Sequence, residues 1–169
     1  PMLARDVMSR TLTTMSPRGT CFEAVQRMHA GRIHHLPVVA AADRLVGIVT
    51  HGDLRHHLFA PAVFPVLGLT PVDTLLGAMR VSDVMVTDVV TVRPEQSLGE
   101  AAGLMMTKRV GSLPVVEDGR LVGIITETDM LRTIIRGDVG AACADIIVAL
   151  PWGPGPALSA RDVLEGRWR

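Results

Sequence analysis

Leu113-Pro114-Val115-Val116, followed by Leu121-Val122-Gly123-Ile124-Ile125-Thr126-Glu127-Thr128-Asp129, repeats a pattern that occurs earlier as Leu36-Pro37-Val38-Val39 and Leu45-Val46-Gly47-Ile48-Val49-Thr50-His51-Gly52-Asp53. Asp83-Val84-Met85 likewise repeats Asp6-Val7-Met8. The copies are 77 residues apart at their start (84 − 7) and 76 apart at their end (129 − 53), so they differ by one residue in a loop. A duplicated unit of this length predicts two copies of one structure that pack on each other and leave clefts between them.

The composition of the chain favours a globular protein with a sizeable core, because 48% of its 169 residues are hydrophobic. The formal net charge is zero, which argues against nucleic-acid binding, since contacts to the phosphate backbone need a basic surplus. Cys21 and Cys143 are far apart and form no CxxC motif, as expected of reduced thiols in a cytoplasmic protein. The apolar stretch from Leu58 to Leu69 is interrupted by prolines and is too short to span a membrane.

Each copy shows the same order of predicted elements. An extended piece, Thr11 to Met15 in the first copy, precedes a helix whose start is marked by Thr20 and Glu23, the spacing of a capping box. We expect Gly31 to end this helix. Two short apolar strands and a second helix follow, so the fold class is α+β and the unit is β-α-β-β-α, present twice.

The domain organisation follows from the repeat. We predict a first repeat at residues 3–58, a partly helical insertion at 59–80, a second repeat at 81–136 and a C-terminal extension at 137–169 that is loosely ordered beyond residue 150. Within the insertion, residues 71–79 are predicted to form a helix, and the insertion is interpreted as a lid or a dimer contact.

Taken together, the two Leu-Pro-Val-Val strands and the two blocks that end in Thr-x-x-Asp resemble a tandem pair of CBS domains. The resemblance covers both repeats. It implies two pseudo-symmetric repeats packed sheet to sheet, adenosine-containing ligands in the clefts between them, and a homodimer.

The strongest candidates for binding are two pairs at the start of predicted helices, Thr50 with Asp53 and Thr126 with Asp129. A carboxylate can accept hydrogen bonds from both hydroxyls of a ribose, and a hydroxyl with nearby backbone N–H groups suits a phosphate. The resemblance implies that the aspartates hold ribose. The alternative is a pair that only caps its helix, which stabilises it by about 1 kcal/mol.

Histidines in the first repeat are candidates for contact with a phosphate. The resemblance places His34 and His35 next to phosphates, and their charge can change near neutral pH. The alternative is a pair of loop histidines without a ligand. The second repeat has Gly111 and Ser112 at these positions, so we expect the two clefts to differ.

The resemblance also indicates where adenine would lie. It places the base against the backbone of Ile33 and His34 in one cleft and of Val110 and Gly111 in the other, next to strand residues that match each other in the two repeats. Those strand residues are Thr14 and Thr91. The alternative for each threonine is an ordinary core position.

A metal site and an enzyme active site are both disfavoured. His51, His56 and His57 lack the ligand spacing of a zinc site, so surface histidines are the better interpretation. The chain has no GxSxG, Walker or HExxH motif. Asp53 and Asp129 could form a paired-carboxylate site, but their matching capping contexts favour matched binding roles.

The sequence therefore predicts a cytoplasmic, non-enzymatic regulatory protein that senses AMP, ADP, ATP or S-adenosylmethionine and signals to a separate protein. No obligatory cofactor, nucleic acid or membrane is expected. One alternative is a ligand-free scaffold for protein interaction or dimerisation, and another is a regulator that binds metal through its histidines.

Overall fold

The computed structural model describes residues 2–58 and 71–135. The first half contains α1 (Ala4–Val7), α2 (Cys21–Gly31), β1 (His35–Val39), β2 (Leu45–Thr50) and α3 (His51–Leu58). The second half contains α4 (Val72–Ala78), α5 (Val81–Val84), α6 (Leu98–Lys108), β3 (Ser112–Glu117), β4 (Arg120–Thr126) and α7 (Glu127–Ile135). Residues 59–70, Cys143 and the C-terminal extension lie outside the described residues.

Two antiparallel hairpins form the centre of the fold. Strand β1 pairs with β2, and β3 pairs with β4. The register is the same in both, since His35 lies opposite Thr50 and Ser112 lies opposite Thr126. Each hairpin therefore brings the residue before its Leu-Pro pair next to the threonine that precedes the following helix.

The first strand predicted in each repeat is reduced to a single bridging residue. Met15 bridges in parallel to Val38, with its N–H donating to the Pro37 carbonyl oxygen at 3.0 Å. Val92 bridges to Val115 in the same way. Proline lacks an N–H group and cannot continue a ladder, so the extended pieces touch their hairpins without becoming full strands.

The short N-terminal helix of each repeat packs on the other repeat. The Ala4 N–H donates to the Gln96 carbonyl oxygen (2.8 Å), and Ser9 exchanges two backbone hydrogen bonds with Ile124 (2.9 and 3.1 Å). The equivalent segment of the second repeat contacts the first repeat, because Val86 exchanges two backbone hydrogen bonds with Ile48 (2.8 and 3.0 Å). The two repeats are therefore joined by an exchange of segments.

The two hydrophobic cores show the same exchange. Ala4 and Met8 belong to the core built around Leu98, Leu113 and Ile125. The other core includes Val81 and Val84, packed with residues of the first repeat that are fully buried or nearly so, namely Cys21, Leu36, Val38 and Val49. Each core thus crosses the boundary between the sequence repeats.

A glycine in each hairpin accommodates the methionine of the exchanged segment. A Cβ atom at Gly123 would lie 2.8 Å from Cγ of Met8, and one at Gly47 would lie 2.6 Å from Sδ of Met85. Both distances are below any normal van der Waals contact. In both copies, therefore, the glycine of Leu-Val-Gly-Ile leaves room for the methionine of the Asp-Val-Met segment that comes from the other copy.

Helix caps follow the predicted pattern with one difference. Thr20 and Glu23 form a reciprocal capping box at α2, and Ser97 and Glu100 form another at α6. Helix α2 ends at Gly31, as expected, but the left-handed cap conformation falls on the next residue, Arg32. The glycine is therefore the last helical residue and not the residue with the left-handed conformation.

The described part of the insertion packs on the first repeat. Helix α4 lies against α2, with Leu76 buried in the first-repeat core, and the Cys21 N–H donates to the Met79 carbonyl oxygen (2.9 Å). Burial, with a smaller effect of Asp83, raises the pKa of the Cys21 thiol to about 11. Within residues 2–58 and 71–135, no helix is long and apolar enough to cross a membrane.

Candidate functional site

Two neighbouring cavities lie between the repeats. Cleft A, of about 390 Å³, is lined by residues 50–53 of the first repeat and by 88–90 and 109–112 of the second. Cleft B, of about 500 Å³, is lined by residues 126–129 of the second repeat and by 11–13 and 31–35 of the first. Both volumes lie within the range of small-molecule pockets, about 300–1,000 Å³.

The structure brings the predicted residues together across the repeats. In cleft A, Thr50 and Asp53 share the cavity with Val110, Gly111 and Ser112. In cleft B, the Thr–Asp pair comes from the second repeat and the segment before the hairpin comes from the first. The predicted residues that line it are Thr126, Asp129, Ile33, His34, His35 and Gly111. Each Thr–Asp pair thus shares a cavity with the segment that precedes the hairpin of the other repeat.

Thr14 and Thr91 are not among the residues that line these two cavities. The carbonyl oxygen of Thr14 instead accepts a hydrogen bond of 2.6 Å from the Arg27 guanidinium. Residues 11–13 and 88–90, just before the two threonines, provide the lining. The extended segments contribute to the clefts as expected, but through earlier residues.

Thr50 and Asp53 form mutual hydrogen bonds at the start of α3. Oδ2 of Asp53 accepts hydrogen bonds from the Thr50 backbone N–H (2.8 Å) and hydroxyl (2.7 Å), and the Asp53 N–H donates to the Thr50 hydroxyl oxygen (3.1 Å). This is a reciprocal helix cap. Oδ1 of Asp53 has no hydrogen-bond partner among the described residues, which leaves one carboxylate oxygen available in cleft A.

Thr126 and Asp129 repeat this geometry at α7, with 2.8 and 2.7 Å for the two bonds to Oδ2 of Asp129. The difference is Arg132, whose Nη1 lies 3.5 Å from Oδ1 of Asp129. The carboxylate of cleft B is therefore paired with a cation, whereas that of cleft A has no such partner among the described residues.

Histidines line the region where the clefts adjoin. His34 and His35 line both cavities, and the ring of His34 lies 6.1 Å from that of His51, centroid to centroid. Burial lowers the pKa of His35 below its ordinary value of 6.5. His34 adds to this effect, while Glu127 and Asp53 oppose it. Burial thus favours the neutral form of the His35 imidazole.

Several charged residues of the clefts were not predicted as site residues. Asp88 and Arg109 line cleft A, and Arg32, Glu127 and Arg132 line cleft B. The sequence could have indicated two of them as site residues. Arg32 and Arg109 occupy matching positions of the repeat, each directly before a predicted adenine-contact segment. His51 also lines cleft A, although the sequence favoured a surface histidine over a metal ligand at this position.

His51, His56 and His57, which were weighed above as metal ligands, all lie on α3. Nδ1 of His57 lies 2.9 Å from the Asp53 carbonyl oxygen, within its own helix. In the described part of the chain, no three His, Cys, Asp or Glu side chains converge as metal ligands would.

Fold and site together define a class, a duplicated α+β protein with two pseudo-symmetric clefts between its repeats. Comparison with known proteins gives the family. The family model described as CBS domain matches residues 4–60 and 81–136, which is most of the chain. The chain belongs to the CBS domain family, and it carries two copies of that domain.

Curated relatives differ in how much of them the chain matches. A CBS domain-containing protein of Dictyostelium discoideum is 36% identical over 80% of this chain and 92% of its own length. The inosine-5′-monophosphate dehydrogenase of Methanocaldococcus jannaschii is 34% identical over 96% of this chain, but the match spans only 30% of that enzyme.

Two similar solved structures contain adenosine compounds. The CBS domain pair of protein MJ0100, in complex with 5′-methylthioadenosine and S-adenosyl-L-methionine, superimposes with a TM-score of 0.64 at 26% identity, covering 82% of this chain and 99% of its own. CBSX2 in complex with AMP superimposes with a TM-score of 0.67 at 25% identity, with the same coverage.

Proposed function

We propose that this chain binds an adenosine-containing ligand in clefts A and B without chemically changing it, and that the bound state regulates another protein. The ligand class is AMP, ADP, ATP or S-adenosylmethionine. The observation that carries the proposal is that each Thr–Asp pair shares a cavity with the segment before the hairpin of the other repeat. The AMP and S-adenosylmethionine complexes of two similar structures support this ligand class.

The carboxylates are the proposed ribose contacts. Oδ2 of Asp53 is occupied by Thr50, and Oδ1 is oriented by that cap while lacking a partner among the described residues. A fixed carboxylate oxygen can accept hydrogen bonds from ribose hydroxyls without loss of side-chain entropy on binding. Capping and ligand binding are therefore compatible roles of the same aspartate. Asp129 has the same cap in cleft B, but its Oδ1 lies 3.5 Å from Nη1 of Arg132.

The segments before the hairpins are the proposed adenine contacts. Val110 and Gly111 provide apolar surface and backbone groups in cleft A, and Ile33 and His34 do so in cleft B. His35 lines both cavities, so it is proposed to lie near the phosphates of a ligand in either one.

Regulation would act through the joint between the repeats. Both clefts are lined by residues of both repeats, so a ligand can favour one relative position of the repeats over another. A ligand shifts such an equilibrium only by its difference in affinity for the two states. The regulated protein would read that position.

The proposal is tested by calorimetric titration and thermal unfolding with AMP, ADP, ATP and S-adenosylmethionine, with guanosine compounds and divalent metals for comparison. A ligand at 100 times its dissociation constant adds about 2.7 kcal/mol, which raises the unfolding midpoint of a chain of this size by roughly 5–10 °C. We expect this rise with adenosine compounds only.

A matched control separates ligand binding from helix capping. Asp53→Ala removes a capping carboxylate that lines cleft A, and Glu23→Ala removes a capping carboxylate at α2 that lines neither cleft. Both should lower stability by about 1 kcal/mol. We expect only Asp53→Ala to weaken binding in cleft A, and equal affinities of both variants would refute the proposal.

A second candidate function, a dimerisation scaffold, is favoured by an apolar face on α7. Leu131 and Ile135 lie one turn apart and are 59% and 82% exposed. We propose that this face contacts a second copy of the chain, and sedimentation analysis of Leu131→Lys/Ile135→Lys should show loss of the dimer. A persistent dimer that binds none of the adenosine compounds would favour the scaffold over the sensor.

Cytoplasmic location remains a prediction from the sequence.

A further inference from the structure

Two arginines occupy a backbone conformation that usually belongs to glycine. Arg32 follows α2 with φ 49° and ψ 44°, and Arg109 follows α6 with φ 54° and ψ 45°. The left-handed region is unfavourable for residues with a Cβ atom, and glycine is the usual residue at this position after a helix. The chain has arginine there in both repeats, at matching positions.

Each of these arginines lines the cleft that contains the Thr–Asp pair of the other repeat. Arg109 lines cleft A with Thr50 and Asp53, and Arg32 lines cleft B with Thr126 and Asp129. Other arginines are engaged, such as Arg27 with the Thr14 carbonyl oxygen. In residues 2–58 and 71–135, by contrast, neither Arg32 nor Arg109 has an ion pair or a side-chain hydrogen bond.

Most backbone N–H donors at the starts of α3 and α7 are already used within the protein, including those of His51 and Glu127, which donate to the His34 and Gly111 carbonyl oxygens. The Thr50 N–H donates to the Asp53 carboxylate, and the Asp53 N–H donates to the Thr50 hydroxyl oxygen. The same bonds form between Thr126 and Asp129. These helix starts therefore already carry a carboxylate, and a phosphate beside them requires a cation from elsewhere.

We propose that Arg109 in cleft A and Arg32 in cleft B bind the phosphate of the ligand. A guanidinium group presents two parallel N–H donors to a phosphate and stays charged at every physiological pH. This inference rests on the proposed function and extends it to the ligand class, adenosine compounds that carry a phosphate. It also assigns a role to two exposed residues whose backbone conformation disfavours them.

The two clefts should depend on their arginines to different extents. Among the residues that line it, cleft A has two carboxylates, Asp53 and Asp88, and the single arginine Arg109. Cleft B has two carboxylates and two arginines, Arg32 and Arg132. Loss of Arg109 should therefore weaken phosphate binding more than loss of Arg32.

The test compares adenosine with AMP, which differ only by the phosphate, in calorimetric titrations of the wild type, Arg109→Gly and Arg32→Gly. Glycine suits the left-handed conformation, so both variants should fold at least as well as the wild type. Lys108→Ala is the control, because it removes a neighbouring cation that lines neither cleft. We expect Arg109→Gly to weaken AMP binding about tenfold or more and to change adenosine binding less than twofold.

The outcomes separate this inference from the function on which it rests. If the wild type binds AMP no more tightly than adenosine, or if the glycine variants keep the AMP-to-adenosine affinity ratio of the wild type, the phosphate role is wrong and the adenosine site stands. If the wild type binds neither compound, both proposals are wrong. A loss of AMP affinity in Lys108→Ala equal to that in Arg109→Gly would also overturn the inference, because it would show a general effect of charge.

Discussion

Gly123→Ala should destabilise the protein because the added methyl group meets the methionine of the exchanged N-terminal segment. The new Cβ would lie 2.8 Å from Cγ and 3.1 Å from Cβ of Met8, whereas ordinary contacts begin near 3.4 Å. These atoms are close to the backbone of Met8, so rotation of the side-chain end cannot relieve the overlap. Overpacking of this kind costs about 1–3 kcal/mol. We expect a midpoint of thermal unfolding lower by roughly 4–8 °C for a cost of about 2 kcal/mol.

The reasoning is checked by a double-mutant cycle measured by urea unfolding with circular dichroism. In the Met8→Ala background the overlap is gone, and Gly123→Ala should become neutral or stabilising, since alanine is favoured over glycine in a strand by about 0.5–1 kcal/mol. Gly77→Ala is the control, because a Cβ there meets no atom within 4 Å and should stabilise its helix. If the effects of Gly123→Ala and Met8→Ala on the unfolding free energy were additive, contact with Met8 would not be the cause of the destabilisation.

Three further predictions concern single side chains. Ser97→Ala should cost about 1 kcal/mol by loss of the helix cap. Hydrogen bonds from the Ser97 backbone N–H and hydroxyl lower the pKa of Glu100, so the stability they provide is present above pH 4.5 and is lost as the pH falls through the lowered pKa. The variant keeps the backbone hydrogen bond, so acid unfolding of wild type and variant should differ only by the contribution of the hydroxyl. Burial lowers the pKa of His35 below 6.5. The stability that the neutral imidazole contributes is therefore present above pH 6.5 and is lost as the pH falls through the lowered pKa. His35→Ser should reduce the difference in unfolding free energy between pH 7.5 and pH 5.5. In a Cys143→Ser background, Cys21 should react with a thiol reagent at pH 8 only on unfolding, because it is buried and its pKa is raised to about 11; rapid labelling of the native protein would contradict its burial.

Local signals in the sequence predicted the elements well and the cleft lining less well. The capping boxes at Thr20 and Ser97 and the two hairpins depend on residues a few positions apart, and they form as expected. Thr14 and Thr91 were placed in the clefts by resemblance, but residues just before them line the cavities. Which residue of an extended segment faces a cavity depends on how that segment crosses the hairpin, which no local pattern encodes.

By itself, the sequence determined the duplication, the α+β class and the position of each Thr–Asp pair at a helix start, because repeats, periodicity and capping are properties of neighbouring residues. Only the tertiary structure decided that each N-terminal segment packs on the other repeat, as Met8 on Gly123 shows. It also decided that Arg109 lines the same cleft as Asp53. These contacts join residues more than 50 positions apart, and they form because two incomplete repeats bury their apolar surfaces and share cavities only when packed against each other.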